Sequence, residues 1–118
     1  MKNFKELKVW QKGFEIAVKS FQLTESFPKE EKFGLSLQIT RAAVSVSSNI
    51  AEGSSRSSEK DYKRFLEIAL GSCFELETQL MIAEAANMGL KDVREVMIKA
   101  LDEEQKMLMA FIRKLGNQ

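Results

Sequence analysis

A chain of 118 residues with 44% hydrophobic and 30% charged residues, six Gly and one Pro has room for one domain with its own core and few turns, the profile of long helices. The single Cys73 excludes an internal disulfide, the absence of His removes zinc and di-iron Glu-x-x-His sites, and no apolar run approaches the roughly 20 residues of a membrane span. With 18 Lys plus Arg against 17 Asp plus Glu the net charge is +1, too balanced for strong nonspecific attraction to nucleic acid.

The opening MKNFKELKVWQK interrupts its apolar residues with Lys too often for a signal peptide, so a cytoplasmic chain is expected. Residues 1–64 carry 12 basic and 8 acidic side chains, net +4, and residues 65–118 carry 6 and 9, net −3. That asymmetry fits one basic face or, more simply, attraction between antiparallel helices.

The first helix is predicted over 7–23, where Leu7, Trp10, Phe14, Ala17, Val18 and Phe21 repeat with helical spacing and form its expected core face. Lys5, Lys8, Lys12 and Lys19 fall on the wet side. Pro28 suits a first helical turn and Glu30 and Glu31 suit the positive end of the helix dipole, so the second helix is predicted over 29–52. Gly34 inside it lowers helix stability by about 1 kcal/mol relative to Ala, which suggests a close approach there.

At about 100° per residue, Leu35, Ile39, Ala42, Val46 and Ile50 of the second helix share one face, the predicted core. Along its edge Gln38, Arg41, Ser45, Asn49 and Glu52 follow at steps of three or four. Leu37, Val44 and Ala51, spaced by seven, point to the far side, and a helix apolar on two sides expects a second cover, which a one-domain chain finds in another subunit.

Gly53-Ser-Ser-Arg-Ser-Ser58 is a predicted connector, with Ser57 or Ser58 as N-cap for a third helix over 59–87. It lacks the spacing and the preceding strand of a phosphate-binding loop. Tyr62, Phe65, Leu66, Ala69, Cys73, Leu76, Leu80 and Ala83 line the expected core face, with Leu70, Phe74, Met81 and Met88 in a second apolar strip. Asn87 and Gly89 supply a stop. The fourth helix, 90–115, turns Val93, Met97, Ala100, Leu101, Leu108, Phe111 and Leu115 inward. Four amphipathic helices on short connections predict an all-α, antiparallel, up-and-down four-helix bundle spanning residues 1–118.

The inventory supplies little chemistry. Haem sites usually use His or Met, His is absent, and the six Met sit at packing positions, so no cofactor or metal is expected. Cys73 and the serines 45, 47 and 48 have no histidine base, and Cys73 reads as core filling. Glu52 and Glu75 could form a carboxylate pair on adjacent helices, which Arg41 or Arg64 would neutralise into a structural ion pair. A non-enzymatic protein with no small-molecule substrate is therefore expected, with Gln38, Arg41, Ser45, Asn49, Glu52, Arg56, Arg64 and Glu75 as its candidate interaction surface. The competing reading makes that stripe a hydrogen-bond network between helices or subunits.

Three segments carry a family resemblance: LKVWQKGFEIA at 7–17, FPKEEKFGLSLQITRAAVSVSSNIAEGSSR at 27–56 and YKRFLEIALGSCFELETQL at 62–80, with Asn49-Ile-Ala-Glu-Gly53 as the most specific signature. In these the chain resembles the four-helix bundle proteins encoded in the intervening sequences of bacterial 23S ribosomal RNA genes, the S23 ribosomal protein-like family. The resemblance implies a left-handed bundle assembled as a homopentameric ring, and the polar stripe, joined by Arg56 and Arg64, gives structured RNA or an RNA-processing partner as the expected target. A related branch, the accessory protein of diversity-generating retroelements, binds a reverse transcriptase and nucleic acid, and gives the alternative function. That branch is strongly basic. Here the charge is near neutral, Leu70 stands where an arginine is common and Thr40 replaces a more usual basic residue, which favours the ribosomal-gene type and argues against tight RNA binding.

Overall fold

A computed structural model describes residues 3–116, in which four helices follow one another: α1 (Lys8–Glu25), α2 (Leu35–Ser54), α3 (Glu59–Ala85) and α4 (Lys91–Gly116). No strand occurs among the described residues. Each helix packs on its sequence neighbours and α4 packs back on α1, which makes an all-α four-helix bundle measuring 46 × 21 × 20 Å. Partners across the helix pairs run in opposite senses. Ser45 faces Ser72 while Gly53 faces Phe65, and Lys12 pairs with Glu103 while Ser26 holds Leu90.

The core is built where small and branched side chains recur at helical spacing. Ile39, Ala42, Val46 and Ile50 on α2, Leu66, Ala69, Cys73, Leu76, Leu80 and Ala83 on α3, and Met97, Leu101 and Leu108 on α4 are buried. Leu35, Tyr62, Leu70, Met88, Val93, Ala100, Phe111 and Leu115 pack against them at its margin. Phe74 and Met81, the rest of the second α3 strip, are exposed.

Two sequence expectations need correcting. On α1 the buried face is Val9, Gly13, Ile16, Ala17, Ser20 and Leu23, while Phe14, Val18 and Phe21 are 51%, 46% and 54% exposed. Leu7 and Trp10 only lean on the core. The cause is a close crossing at Gly13, where an added Cβ would stand 3.3 Å from Val46 Cγ1 and 3.4 Å from Ser47 Cβ. Small residues let α1 approach there, and the bulky rings are left on its outer flank. Lys12, expected on the wet side, is half-buried with Nζ 3.6 Å from Glu103 Oε2.

The second helix also starts later than the predicted 29. Pro28 precedes a single 3-10 turn, Lys29–Glu31, and the α-helix begins only after Gly34. Glu31 Oε1 accepts the Leu35 N–H at 3.3 Å and occupies the space where a Gly34 Cβ would fall, 3.0 Å away. A carboxylate reaching forward thus supplies the cap of α2 in place of a continuous helix. At its other end α2 runs on to Ser54 and takes in Gly53, expected in the connector, whereas the expected cap and stop of α3 are in place. Ser58 Oγ accepts the Asp61 N–H at 3.1 Å, and Asn87, at φ +54°, closes α3 with Met88 N–H bonded to the Ala83 carbonyl at 2.8 Å and Asn87 N–H to Glu84 at 3.0 Å.

Candidate functional site

The polar stripe of α2 divides into three parts. Its middle is spent on holding α2 to α3: Ser45 Oγ lies 2.9 Å from Ser72 Oγ, and Asn49 Nδ2 donates to the Ser45 carbonyl and hydroxyl at 2.8 and 2.9 Å. Ser45 is thus committed to an interhelical contact, and Asn49 braces it from within α2.

Towards the end of α2, Arg56 Nη2 donates to Glu52 Oε2 at 2.9 Å. The Arg56 and Arg64 guanidinium groups lie 4.8 and 4.7 Å from the centre of the Phe65 ring, and Arg64 Nε is 3.8 Å from Asp61 Oδ1. Glu52 and Glu75 therefore form no carboxylate pair. Glu52 belongs to Arg56, eleven residues or about 16 Å of helix beyond Arg41, whereas Glu75 lies beside Arg41.

The beginning of the stripe is different. Gln38, Arg41, Ala42 and Ser45 of α2 and Glu75 and Gln79 of α3 surround a concavity of about 420 Å³. Among the described residues, the side chains of Gln38, Arg41, Glu75 and Gln79 make no hydrogen bond or ion pair with any other. Gln79 is only 6% exposed, and its Oε1 is buried without a partner. A buried amide oxygen left unpaired costs about 1–3 kcal/mol, and this one is enclosed in the wall of the hollow rather than open to it. The floor is Ala42, whose small side chain leaves the space open. Arg41 and Ser45 also border a second hollow with Phe21, Thr40 and Val44, which joins the polar concavity to the exposed apolar flank of α1 and α2. Leu37 and Val44, 40% and 41% exposed, stand on that flank, and Ala51 is half-buried further along.

Gln79 and Glu104 escaped the sequence reading. Gln79 lies three residues after Leu76 and four before Ala83, and Glu104 three after Leu101 and four before Leu108, so both fall on core faces and their polarity hid them. Glu104 is fully buried, and neither carboxylate oxygen has a partner. Burial pushes its carboxyl up to about 8, with Lys12 pulling more weakly downward. Cys73 is buried beside it, its thiol pushed up to about 12 by burial and further by the negative charge of Glu104 and Glu77, which makes it a poor nucleophile. Among the described residues no three of His, Cys, Asp and Glu gather as they would around a metal ion, and no helix is long and apolar enough to cross a membrane.

The family model described as 23S rRNA-intervening sequence protein matches residues 5–110. The chain belongs to that family. The crystal structure of a protein of unknown function from the S23 ribosomal protein family of Bacteroides thetaiotaomicron VPI-5482 is similar, with 27% sequence identity, 88% of this chain and 97% of that chain covered, and a TM-score of 0.78. The comparison with curated proteins finds no match. In this chain the Asn49–Gly53 signature has a physical reading. Asn49 braces Ser45, Glu52 pairs with Arg56, and Gly53 admits α3, since a Cβ there would stand 2.8 Å from Phe65 Cβ and 3.0 Å from Tyr62 Cδ1.

Proposed function

We propose that this protein is a non-enzymatic homo-oligomeric scaffold whose concavity between α2 and α3 recognises RNA. The observation that carries the reading is the convergence of Gln38, Arg41, Glu75 and Gln79, none paired with another described residue, on one open hollow. Guanidinium, amide and carboxylate groups together are what unstacked bases and their backbone require, and a net charge of +1 suits selective contacts better than a broad electrostatic grip. A cytoplasmic location belongs to the same proposal.

The subunit contact in this reading is the flank bearing Phe14, Val18 and Phe21 of α1 with Leu37, Val44 and Ala51 of α2. Large exposed side chains at helical spacing on two adjacent helices make a continuous apolar face, which a second copy of the chain would cover. A ring of five is the assembly that the family resemblance implies. Arg41 sits where that flank meets the concavity.

Arg41→Ala tests the assignment. The variant is expected to keep the melting temperature and light-scattering mass of the native chain while losing retention of a labelled 23S rRNA fragment on a filter. A variant that falls apart or unfolds would make Arg41 a structural contact. Native protein that retains no RNA would move the partner to a protein of an RNA-processing complex.

A further inference from the structure

The concavity between α2 and α3 contains a donor-only group and an acceptor-only group that do not satisfy each other. Arg41 offers a fork of N–H donors and Glu75 a pair of acceptor oxygens, yet no ion pair joins them, although Arg56 with Glu52 and Gln105 with Glu77 do bond within the same bundle. An occupant that satisfied both would present hydrogen-bond donors on one edge and acceptors on the next. A phosphate does not qualify, because the Glu75 carboxylate would repel it.

Among the nucleobases only guanine has this pattern. Its N1–H and N2 amino group are adjacent donors that match a carboxylate, and its O6 and N7 are adjacent acceptors that match a guanidinium. Uracil sets one donor between two acceptors. Adenine and cytosine place a ring acceptor next to their amino group, which would turn a lone pair towards Glu75. A volume of about 420 Å³ is of the size that small ligands occupy, and the Ala42 floor leaves room for a flat ring.

We infer that the concavity binds the edge of a guanine base, the two Glu75 carboxylate oxygens accepting from N1–H and the N2 amino group while Arg41 donates to O6 and N7. The inference deepens the proposed RNA recognition and rests on it where the guanine is part of an RNA chain. A free guanine nucleotide offers the same edge. Gln38, at the rim, is then the one uncommitted amide left for the neighbouring sugar or base.

Fluorescence anisotropy with three labelled heptamers of uridine, bearing G, A or inosine at the centre, tests this, with unlabelled GMP and AMP as competitors. The G heptamer is expected to bind at least about tenfold more tightly than the A heptamer. Inosine, which lacks the N2 amino group, should lose most of that advantage. Glu75→Gln should abolish the preference while circular dichroism and melting stay native, as befits an exposed position. Displacement by GMP but not AMP supports the guanine site. If GMP binds and no heptamer does, the guanine inference stands and the RNA reading falls. Equal binding of G and A heptamers overturns the guanine inference and leaves RNA recognition standing. Binding of neither heptamers nor GMP overturns both.

Discussion

Glu104 on α4 and Gly13 on α1 share one spot in the core, since a Cβ added to Gly13 would stand 3.0 Å from Glu104 Oε2. A glutamate carboxyl is enclosed there with no donor for either oxygen, and the fold holds its proton up to about pH 8 through burial, against a weaker opposing pull from Lys12. The unfolded chain releases the same proton near 4.5. Between those two values the unfolded state binds fewer protons than the folded one, so this group makes stability fall as pH rises, by about 1.4 kcal/mol per pH unit. Urea unfolding from pH 5 to pH 8 should show that decline in the native protein and a flatter profile in Glu104→Met, with the variant the more stable of the two at pH 8. Parallel profiles would show that Glu104 is already ionised in the fold.

Gly53 and Gly71 should respond to Ala in opposite directions. At Gly53 the new methyl meets Phe65 Cβ at 2.8 Å and the Tyr62 carbonyl at 3.3 Å, atoms that only a shift of α3 can move. Overpacking of about 1–3 kcal/mol should exceed the gain in helix propensity. At Gly71 nothing lies within 4 Å, and the position is exposed in the middle of α3, so Gly71→Ala should stabilise by about 0.5–1 kcal/mol. Thermal melts of the two single variants give the comparison.

Replacing Phe14 and Phe21 together by Ser removes two half-exposed rings without entering the core. The double variant should sediment as a 13.4 kDa monomer and keep native helicity, with a stability loss of about 0.5–1.5 kcal/mol from the Phe14–Trp10 stack. An assembly that survives the double substitution would place the subunit contact on another face.

Cys73 should be silent towards thiol reagents. With its thiol pushed up to about 12 and no exposed surface, labelling by a disulfide reagent at pH 8 should proceed only as fast as the bundle opens, and should become immediate in denaturant. Rapid labelling of the native protein would mean that the α3 core face is open to solvent.

The sequence made the core faces of α2, α3 and α4 legible because Leu, Ile, Val and Ala recur there at helical spacing, and the structure buries most of those residues while leaving Leu37 and Val44 of α2 and Phe74 and Met81 of α3 exposed. It misled on α1 because two arcs compete there. Trp10, Phe14, Val18 and Phe21 dominate by hydrophobicity, whereas Gly13 and Ser20 contribute almost none and yet decide how near the helix can come. The break at Gly34 depended on Glu31 reaching four residues forward, which no periodicity records. Of the candidate site, Gln38, Arg41 and Ser45 followed from spacing on α2, and Glu75 joins them in the concavity. Gln79 needed the register between two helices, set by the Ser45–Ser72 contact, before its place could be known.

That contact, with Gly53 lying against Phe65, fits α2 and α3 together more closely than the other helix pairs, while α1 and α4 meet most sparsely and enclose the unpartnered Glu104 between them. The bundle is thus a firm hairpin closed by a looser seam. Its slowest-exchanging amides should lie in the facing halves of α2 and α3, and the first motion away from the native state should be α4 parting from α1, which would admit water to Glu104 and leave both walls of the guanine concavity in register.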